Sequence, residues 1–340
     1  MKTAVVILNW NGRNLLERFL PSVNAFTQGE NRVFVADNAS TDDSVAFVQA
    51  NFPNIGIISL DKNYGFAEGY NRSLSQIEAE YYCLLNSDVE VSPQWIEGVT
   101  DYLDQNPDIA VCQPKLLSQL EKNKFEYAGA AGGFIDKFGY PFCRGRMFST
   151  LETDEGQYDQ TREVFWATGA CMFVRSSVYH QLGGLDADFF AHMEEIDFCW
   201  RVKNAGYRVA CCPNSKVYHL GGATLPKSSS RKTFLNFRNN WLMLYKNLPA
   251  KRLFAVFALR WFSDFIAAIR FLTDSGWGDF KAVFKAHWAF FRMLPQTRQK
   301  RKRIHPSANI SCIYHGHIVI DYFLKGSRKF SQLHSSKFLS

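Results

Sequence analysis

The segment Tyr81-Tyr82-Cys83-Leu84-Leu85-Asn86-Ser87-Asp88 decides the fold, because an apolar run ends in it abruptly on small polar residues. A continuous apolar run of this kind is typical of a strand that is buried on both faces of a sheet. Similar runs lie at residues 4–8, 33–36 and 55–60. Between them apolar residues recur at helical spacing, for example Leu15, Leu16, Phe19, Leu20 and Val23. This alternation predicts βαβ units and an α/β fold around a largely parallel sheet.

Polar residues collect immediately after each of these predicted strands. They are Asn9, Trp10 and Asn11 after the first strand, Asp37 and Asn38 after the second, Asn63 after the third, and Asn86 and Asp88 after the fourth. The carboxyl ends of parallel strands meet at one edge of an open α/β sheet, and ligands bind in the crevice there. The sequence therefore predicts a ligand site built from these strand ends.

The pattern changes after residue 125. Residues 125–147 are rich in glycine and aromatic residues, which predicts loops and antiparallel strands. Further predicted elements are an ordered segment at 164–175, helices at 176–182 and 194–205, a strand at 207–211, and helical segments at 253–272 and 280–294. The last of these carries its aromatic residues along one face, and a basic run follows it at 298–303.

Charge is distributed unevenly along the chain. Hydrophobic residues make up 46% of the 340 residues and charged residues 21%, values typical of a folded soluble protein. Residues 1–225 carry 18 Lys and Arg against 28 Asp and Glu (net −10), whereas residues 226–340 carry 21 against 4 (net +17). Such a division indicates two functional parts, of which the basic one faces an anionic partner.

Several classes of protein are disfavoured by the sequence. No apolar run reaches the roughly 18 residues that a membrane-spanning helix needs, and the run at residues 4–8 is too short for a secretory signal. The cysteines include no CxxC pair, and Cys83, Cys112, Cys171 and Cys211 lie in apolar stretches, which indicates buried free thiols in a reducing compartment. We therefore expect a cytoplasmic enzyme with a basic tail.

The sequence also indicates how a phosphate-rich substrate would be held. It contains neither a GxxxxGK[ST] loop nor a GxGxxG loop after the first strand, so neither of these phosphate-binding loops is expected. A diphosphate can instead be held through a divalent metal ion that carboxylates anchor. Asn86-Ser87-Asp88 stands where such a carboxylate is needed, although a plain turn is the alternative interpretation of this tripeptide.

Two further features could carry acid–base or metal chemistry. Glu194 and Glu195 open a predicted helix, where the helix dipole favours their charges or where one of them is a general base. A carboxylate beside another carboxylate has a raised pKa, which suits a group that must accept a proton. His219 lies in an apolar run just before Gly221 and is either a structural residue or a metal ligand.

Taken together and in this order, these segments resemble family 2 glycosyltransferases with the GT-A fold, and among them the rhamnosyltransferase-like members. The resemblance covers about residues 3–225. It is carried by segments 5–11, 35–42, 63–71 and 84–88, by Thr168-Gly169-Ala170, by residues 194–201 and by Tyr218-His219-Leu220-Gly221-Gly222. The resemblance implies a nucleotide-diphospho-sugar transferase fold with a central, mostly parallel sheet, followed by a C-terminal amphipathic helical extension.

The resemblance also implies roles at the donor site. Leu8, Asn9 and Trp10 would line the nucleotide, and Asp37 would accept a hydrogen bond from a uracil or thymine base. Asn63 and Asn71 would hold the nucleotide or the loop that follows. Asn86, Ser87 and Asp88 stand in place of an Asp-x-Asp motif, with Asn86 departing from the usual first aspartate.

Metal, acid–base and acceptor roles follow from the same resemblance. Asp88 and His219 are the expected ligands of a divalent metal, Mn²⁺ or Mg²⁺, and imidazole suits Mn²⁺ better. Glu195 is the expected general base, with Glu194 as the alternative, in a single displacement that inverts the anomeric centre. Trp166, Thr168 and Gly169 would edge the acceptor pocket.

These inferences divide the chain into a GT-A catalytic domain at residues 1–225 and a basic helical extension at 226–340. The extension either packs on the catalytic domain or forms an interfacial anchor on an anionic membrane surface. We favour the anchor because the resemblance implies a lipid-linked acceptor, and we expect the protein on the cytoplasmic face of the inner membrane. Nucleic acid is not an expected partner, because no recognised binding fold accompanies the charge.

The functional hypothesis is an inverting, metal-dependent glycosyltransferase. It would move a sugar, with L-rhamnose as a candidate, from a dTDP- or UDP-sugar donor onto a growing surface polysaccharide or a lipid-linked glycan. Another nucleotide-sugar transferase of the same fold, a nucleotidyltransferase and a non-catalytic sugar-binding scaffold at the membrane are the alternatives. Asn9-Trp10-Asn11-Gly12 does not resemble the glycine-rich loop that a nucleotidyltransferase needs, and the intact Asp88, Glu195 and His219 argue against the scaffold.

Overall fold

The computed structural model describes residues 1–221 and 229–338. The strands are β1 (Thr3–Asn9), β2 (Arg32–Asp37), β3 (Gly56–Ser59), β4 (Tyr81–Leu85), β5 (Val89–Val91), β6 (Ile109–Ser118), β7 (Gly133–Asp136), β8 (Pro141–Cys143), β9 (Arg146–Met147), β10 (Thr150–Leu151), β11 (Arg162–Val164), β12 (Cys171–Arg175), β13 (Arg208–His219) and β14 (Ile313–Tyr314). The helices are α1 (Arg13–Phe26), α2 (Ser44–Asn51), α3 (Gly65–Leu74), α4 (Glu97–Gln105), α5 (Ser176–Gln181), α6 (Glu194–Asn204), α7 (Ser230–Asn247), α8 (Ala250–Asp274), α9 (Trp277–Lys302) and α10 (Ile318–Phe323).

The large sheet has the strand order β11-β13-β6-β12-β4-β1-β2-β3, and the short strand β5 pairs with β13. Strands β1 to β4 pair in parallel, as the βαβ pattern predicts. Beyond them β12 runs antiparallel to both β4 and β6, so the sheet is mixed in its second half. The α/β architecture is confirmed, and the carboxyl ends of β1, β2 and β4 lie together at one edge.

Apolar layers cover both faces of this sheet. In β1, Ala4 and Val6 belong to one apolar cluster and Val5 and Ile7 to the other. Strand β4 alternates in the same way, and all of its residues are buried. Burial on both faces is the reason that this strand is a continuous apolar run in the sequence. The cysteines are all buried free thiols, as expected.

A small second sheet has the order β10-β9-β8-β7-β14. Its hairpin strands β7 to β10 are antiparallel and confirm the prediction for residues 125–147. Strand β14 joins β7 in parallel, and the backbone N–H of Ile318 donates to Asp136 Oδ2 at 3.0 Å. The C-terminal residues of the chain therefore complete a sheet that begins near residue 133.

Helix α7 is not predicted from the sequence, which indicates no helix between residues 226 and 253. It packs against both α6 and α9. Its buried residues include Asn239, Asn240, Lys246 and Asn247 beside Trp241. Because polar and apolar residues are mixed on the buried face, no clear amphipathic period is visible in the sequence.

Helices α8 and α9 are both longer than the segments predicted at 253–272 and 280–294, and the basic run continues α9 to Lys302. The predicted apolar face of the second segment is divided. Val283 and His287 are buried, whereas Phe284, Trp288 and Phe291 are exposed. In the part of the chain that the structure describes, no helix has the length and apolarity needed to cross a membrane. The predicted boundary at 225/226 and Gly222 fall in segment 222–228, outside the described residues.

Candidate active site

The ends of β1 and β2 form the first part of the candidate site. Asn9 and Asp37 are register partners on these neighbouring strands. Asn9 Nδ2 donates to Asp37 Oδ1 at 3.3 Å and to Ser40 Oγ at 3.1 Å, and the Ser40 N–H donates to Asp37 Oδ2 at 3.0 Å. Beside them Leu8 is half-buried, while Trp10 is 53% exposed. An exposed indole next to a buried carboxylate offers one stacking surface and one acceptor to a flat, hydrogen-bonding ligand.

Two asparagines hold the loops around this edge. Asn63 Oδ1 accepts from the backbone N–H of Gly65 at 2.8 Å, at the start of α3. Asn71, on α3, donates to the Leu185 carbonyl at 2.7 Å and accepts from the Leu185 N–H at 2.9 Å. Asn71 thereby holds the segment that leads to α6. Its predicted role at the nucleotide or the loop that follows stays a prediction.

Asp88 and His219 lie in direct contact. Strand β5 pairs antiparallel with the end of β13, so that His219 is opposite Val89, and Asp88 directly precedes β5. His219 Nε2 is 3.0 Å from Asp88 Oδ1, and both residues are buried. Asn86 is half-buried with its Nδ2 at 3.5 Å from the same ring nitrogen, and Ser87 is also half-buried. The structure thus brings the two predicted metal ligands together.

Sequence reasoning missed Glu126 at this cluster. Its Oε1 lies 3.3 Å from Nδ1 of His219, on the other side of the ring from Asp88, and it is also buried. Burial opposes protonation of His219, but the two carboxylates outweigh it and raise its pKa to about 10. Glu126 comes from the glycine-rich loop region, where no periodicity or spacing marks a functional residue.

The chemistry of these residues fits a divalent metal. Carboxylate oxygen and imidazole nitrogen are both ordinary ligands of Mn²⁺, and a metal-ligating histidine characteristically has a carboxylate at its other ring nitrogen. Asp88 and His219 could supply the ligands and Glu126 that supporting carboxylate. Within residues 1–221 and 229–338, no set of three or more His, Cys, Asp or Glu side chains is arranged to hold a metal alone. A metal at Asp88 and His219 would therefore need oxygen ligands from a bound phosphate or from water.

The carboxylate pair lies at the start of α6. Glu194 is buried and Glu195 is partly exposed. Burial raises the pKa of Glu195 to about 7, and burial together with the charge of Glu195 raises the pKa of Glu194. Oε2 of each residue has no hydrogen-bond partner among the residues described. Glu195 is therefore a partly exposed carboxyl, with one buried oxygen that no described side chain or backbone group bonds, and it can accept a proton near neutral pH.

Residues 168–170 connect the two clusters. The Asn86 N–H donates to the Ala170 carbonyl at 3.0 Å. A Cβ built on Gly169 would lie 3.8 Å from the Cβ of Glu195 and 3.3 Å from the ring of Phe66. Thr168 is buried and its N–H donates to Gln113 Oε1 at 3.0 Å, while Trp166 is buried with its indole N–H donating to the Phe134 carbonyl at 2.9 Å. Gly169, one of the three predicted acceptor residues, thus lies directly against Glu195.

Comparison with known proteins adds independent information. The family model described as Glycosyl transferase family 2 matches residues 4–183. An N-acetylglucosaminyl-diphospho-decaprenol L-rhamnosyltransferase from Mycobacterium tuberculosis is 27% identical over 231 residues, covering 63% of this chain and 75% of that protein.

Two solved structures share the fold. S. aureus TarS 1-349 in complex with UDP-GlcNAc has a TM-score of 0.57 at 15% identity, and the match covers 88% of this chain and 84% of that one. The mannosyltransferase PcManGT from Pyrobaculum calidifontis, in complex with GDP-Man and Mn²⁺, has a TM-score of 0.53 at 13% identity. The match covers 88% of this chain and 85% of that one. At these identities the likeness concerns the fold.

The raised pKa of Glu195 predicts a pH-dependent stability. Folding raises the pKa of this carboxyl from 4.5 to about 7, so the folded protein keeps a proton that the unfolded chain loses, and stability falls as pH rises across that window. We expect Glu195→Gln to have a higher Tm than the wild type at pH 8 and an equal Tm at pH 4, measured by differential scanning fluorimetry. The exposed Glu17→Gln variant is the control, and a Glu195→Gln variant no more stable than wild type at pH 8 contradicts the burial argument.

Proposed function

The chain belongs to glycosyl transferase family 2, and on that premise we propose that it is an inverting, metal-dependent transferase acting on a dTDP- or UDP-sugar. L-Rhamnose is the proposed sugar, since the relative from M. tuberculosis is an L-rhamnosyltransferase. A lipid-linked or growing surface glycan is the proposed acceptor. The observation that carries the proposal is that one short segment joins the two clusters. Ala170 bonds Asn86, which lies beside the Asp88–His219 pair, and Gly169 lies against Glu195.

The donor would bind at the carboxyl ends of β1, β2 and β4. Trp10 offers its exposed ring to the base, and Asp37 supplies the acceptor that favours uracil or thymine. Asp88 and His219 would hold the metal, which when bound stabilises negative charge on a departing diphosphate. Glu126 keeps His219 oriented from the opposite ring nitrogen.

Glu195 is the proposed general base. It would take the proton from an acceptor hydroxyl as that oxygen attacks the anomeric carbon and the nucleoside diphosphate leaves from the opposite face. One displacement of this kind inverts the anomeric configuration. The partial exposure of Glu195 supports this choice over the more deeply buried Glu194.

Donor binding gives the first test of this function. We expect dTDP or UDP to raise the Tm of the wild type only when Mn²⁺ is present, because ligands that bind the native state stabilise it. Asp88→Ala should lose this shift, while Glu90→Ala, two residues away on β5, should keep it. A shift with GDP or CDP alone, or one that Asp88→Ala retains, would contradict the proposed donor site.

The general base gives the second test. Removing a general base typically costs about 10²- to 10⁴-fold in rate, so we expect Glu195→Gln to lose transfer by that factor while its nucleotide-induced Tm shift is unchanged. Glu194→Gln is the matched variant on the adjacent residue. Transfer lost in Glu194→Gln and kept in Glu195→Gln would assign the base to Glu194 instead.

The acceptor side of the proposal involves the C-terminal helices. Helices α8 and α9 expose Phe254, Trp261, Phe262, Trp277 and Trp288, each more than half exposed. Basic residues stand beside these rings, for example Arg292 with its guanidinium 4.6 Å from the ring centroid of Trp288. Exposed aromatic rings flanked by cations are typical of helices that lie in a membrane interface. We therefore propose that the basic extension at residues 226–340 binds the cytoplasmic face of the inner membrane through α8 and α9.

Vesicle binding tests this surface. We expect the wild type to cosediment with vesicles that contain phosphatidylglycerol and less with phosphatidylcholine alone, because anionic lipid attracts the basic extension. The double variant Trp261→Ser/Trp288→Ser should lose binding, whereas Leu120→Ser, at an exposed apolar residue of the N-terminal part, should not. Equal sedimentation of the double variant and wild type would exclude this face as the anchor.

A further inference from the structure

The turn that precedes α6 has an unusual backbone. Phe190, His192 and Met193 have φ values of 64°, 70° and 72°, and none of them is a glycine. A positive φ is unfavourable for residues with a side chain. Three such residues within four positions therefore persist only where hydrogen bonds and packing from the surrounding structure hold the backbone. Glu194 and Glu195 follow directly, and the shape of this turn therefore sets how α6 begins.

Asn239 of α7 supplies much of that support. Its side-chain Nδ2 donates to the carbonyls of Phe189 at 2.9 Å, Ala191 at 2.8 Å and His192 at 2.8 Å. An amide nitrogen has two N–H bonds, so at least one of them is shared between carbonyls. Asn239 is completely buried, and without it these carbonyls would lose a partner that water cannot easily replace.

The neighbouring residue orients this amide. Arg238 Nε donates to Asn239 Oδ1 at 2.9 Å, which fixes the direction of the amide group. The same guanidinium donates from its NH2 group to the carbonyls of Asp188 and Phe189, both at 3.0 Å. From the other side, the backbone N–H of Phe66 donates to the Phe190 carbonyl at 2.9 Å. Consecutive carbonyls from Asp188 to His192 are thus each satisfied by a group outside the turn.

Helix α7 also holds the first turn of α6. Asn247 donates to Asp197 Oδ1 at 2.8 Å, and Lys246 donates to Asp197 Oδ2 at 2.9 Å. Lys246 and Asn247 lie seven and eight residues after Asn239, which puts them near the same side of α7. One helix of the extension therefore holds the segment before Glu194 and Glu195 and also Asp197, two residues after them.

We propose that Asn239 is a positioning residue for the transfer reaction, because its amide holds the left-handed turn that aims the carboxylate of Glu195. This inference rests on the proposed role of Glu195 as general base. It assigns a catalytic contribution to α7, which lies outside the segment 4–183 that the family model matches. Asn239 does not touch substrate in this scheme and acts only through the main chain of residues 189–192.

The adjacent residue Asn240 provides a matched control. It is also buried on α7, and its Nδ2 donates to a single backbone carbonyl, that of Gly139 in the turn between β7 and β8, at 2.8 Å. Asn239→Ala and Asn240→Ala therefore remove the same group from the same helix. The two variants differ in whether the lost hydrogen bonds support the turn before Glu194.

The experiment measures kcat, donor KM and Tm of the full-length wild type and both variants. A base displaced by about 1 Å can lose roughly 100-fold in rate, so we expect Asn239→Ala to lose about 10- to 100-fold in kcat with donor KM within about twofold of wild type. Asn240→Ala should keep the wild-type kcat, while its Tm should fall by about as much as that of Asn239→Ala. The acidic limb of the pH profile should move in Asn239→Ala alone, because the surroundings of the base change.

Failure of this inference and failure of the proposed function are distinguishable. If wild type and Glu195→Gln transfer sugar equally, the base assignment fails, whatever the result for Asn239. If Glu195→Gln is inactive but Asn239→Ala and Asn240→Ala have equal kcat, the positioning role is overturned. Should Asn239→Ala fail to fold, Arg238→Lys takes its place, since lysine has a single nitrogen instead of the separate Nε and Nη2 that bond Asn239 Oδ1 and the two carbonyls. This variant must then lower kcat without raising donor KM.

Discussion

The site depends on one constraint: the buried main-chain groups of its loops have no partner in a strand or helix and need hydrogen bonds from side chains. A parallel sheet collects its loops at one edge, and each buried carbonyl and N–H in those loops needs a hydrogen bond from elsewhere. Asparagine amides meet this need repeatedly. The Asn38 side chain accepts from the Tyr64 N–H and donates to the Gly65 carbonyl. Asn71 bonds the backbone N–H and the carbonyl of Leu185, and Asn239 donates to carbonyls of the turn before α6. The position of Glu195 follows from the turn that the Asn239 amide holds.

Much of the N-terminal half could be predicted because its strands are apolar runs that end on polar residues. The strand-end pattern marked Asp88 as a candidate, and the start of a predicted helix marked Glu194 and Glu195. The roles of metal ligand and general base came from the family resemblance. Helix α7 escaped prediction because asparagines occupy its buried face, where a simple helix would have leucines. Glu126 escaped because its partner His219 is 93 residues away in the sequence. The two meet only because β6 pairs with the end of β13 and the Glu126 N–H donates to the Leu116 carbonyl of β6.

The site concentrates features that work against stability. Glu194 and Glu195 are carboxyls whose pKa values burial raises, and the turn before them holds three residues at positive φ. Buried charges close to the site are paired: Lys246 and Lys300 both contact Asp186, and Arg201 donates to Asp197 at 2.9 Å. Strain and uncompensated carboxyls at one location, with satisfied ion pairs around it, are typical of a functional centre.

The pairing of β14 with β7 has a consequence for synthesis of the chain. The bond from Ile318 to Asp136 joins residues 182 positions apart, and β14 completes the small sheet from beyond residue 312. A nascent chain emerges from the ribosome N-terminus first, so residues 133–151 must wait until residues 313–314 have been made before their sheet can close. During that interval the strand edge of β7 is exposed, and an arrested or truncated chain would present it to other molecules.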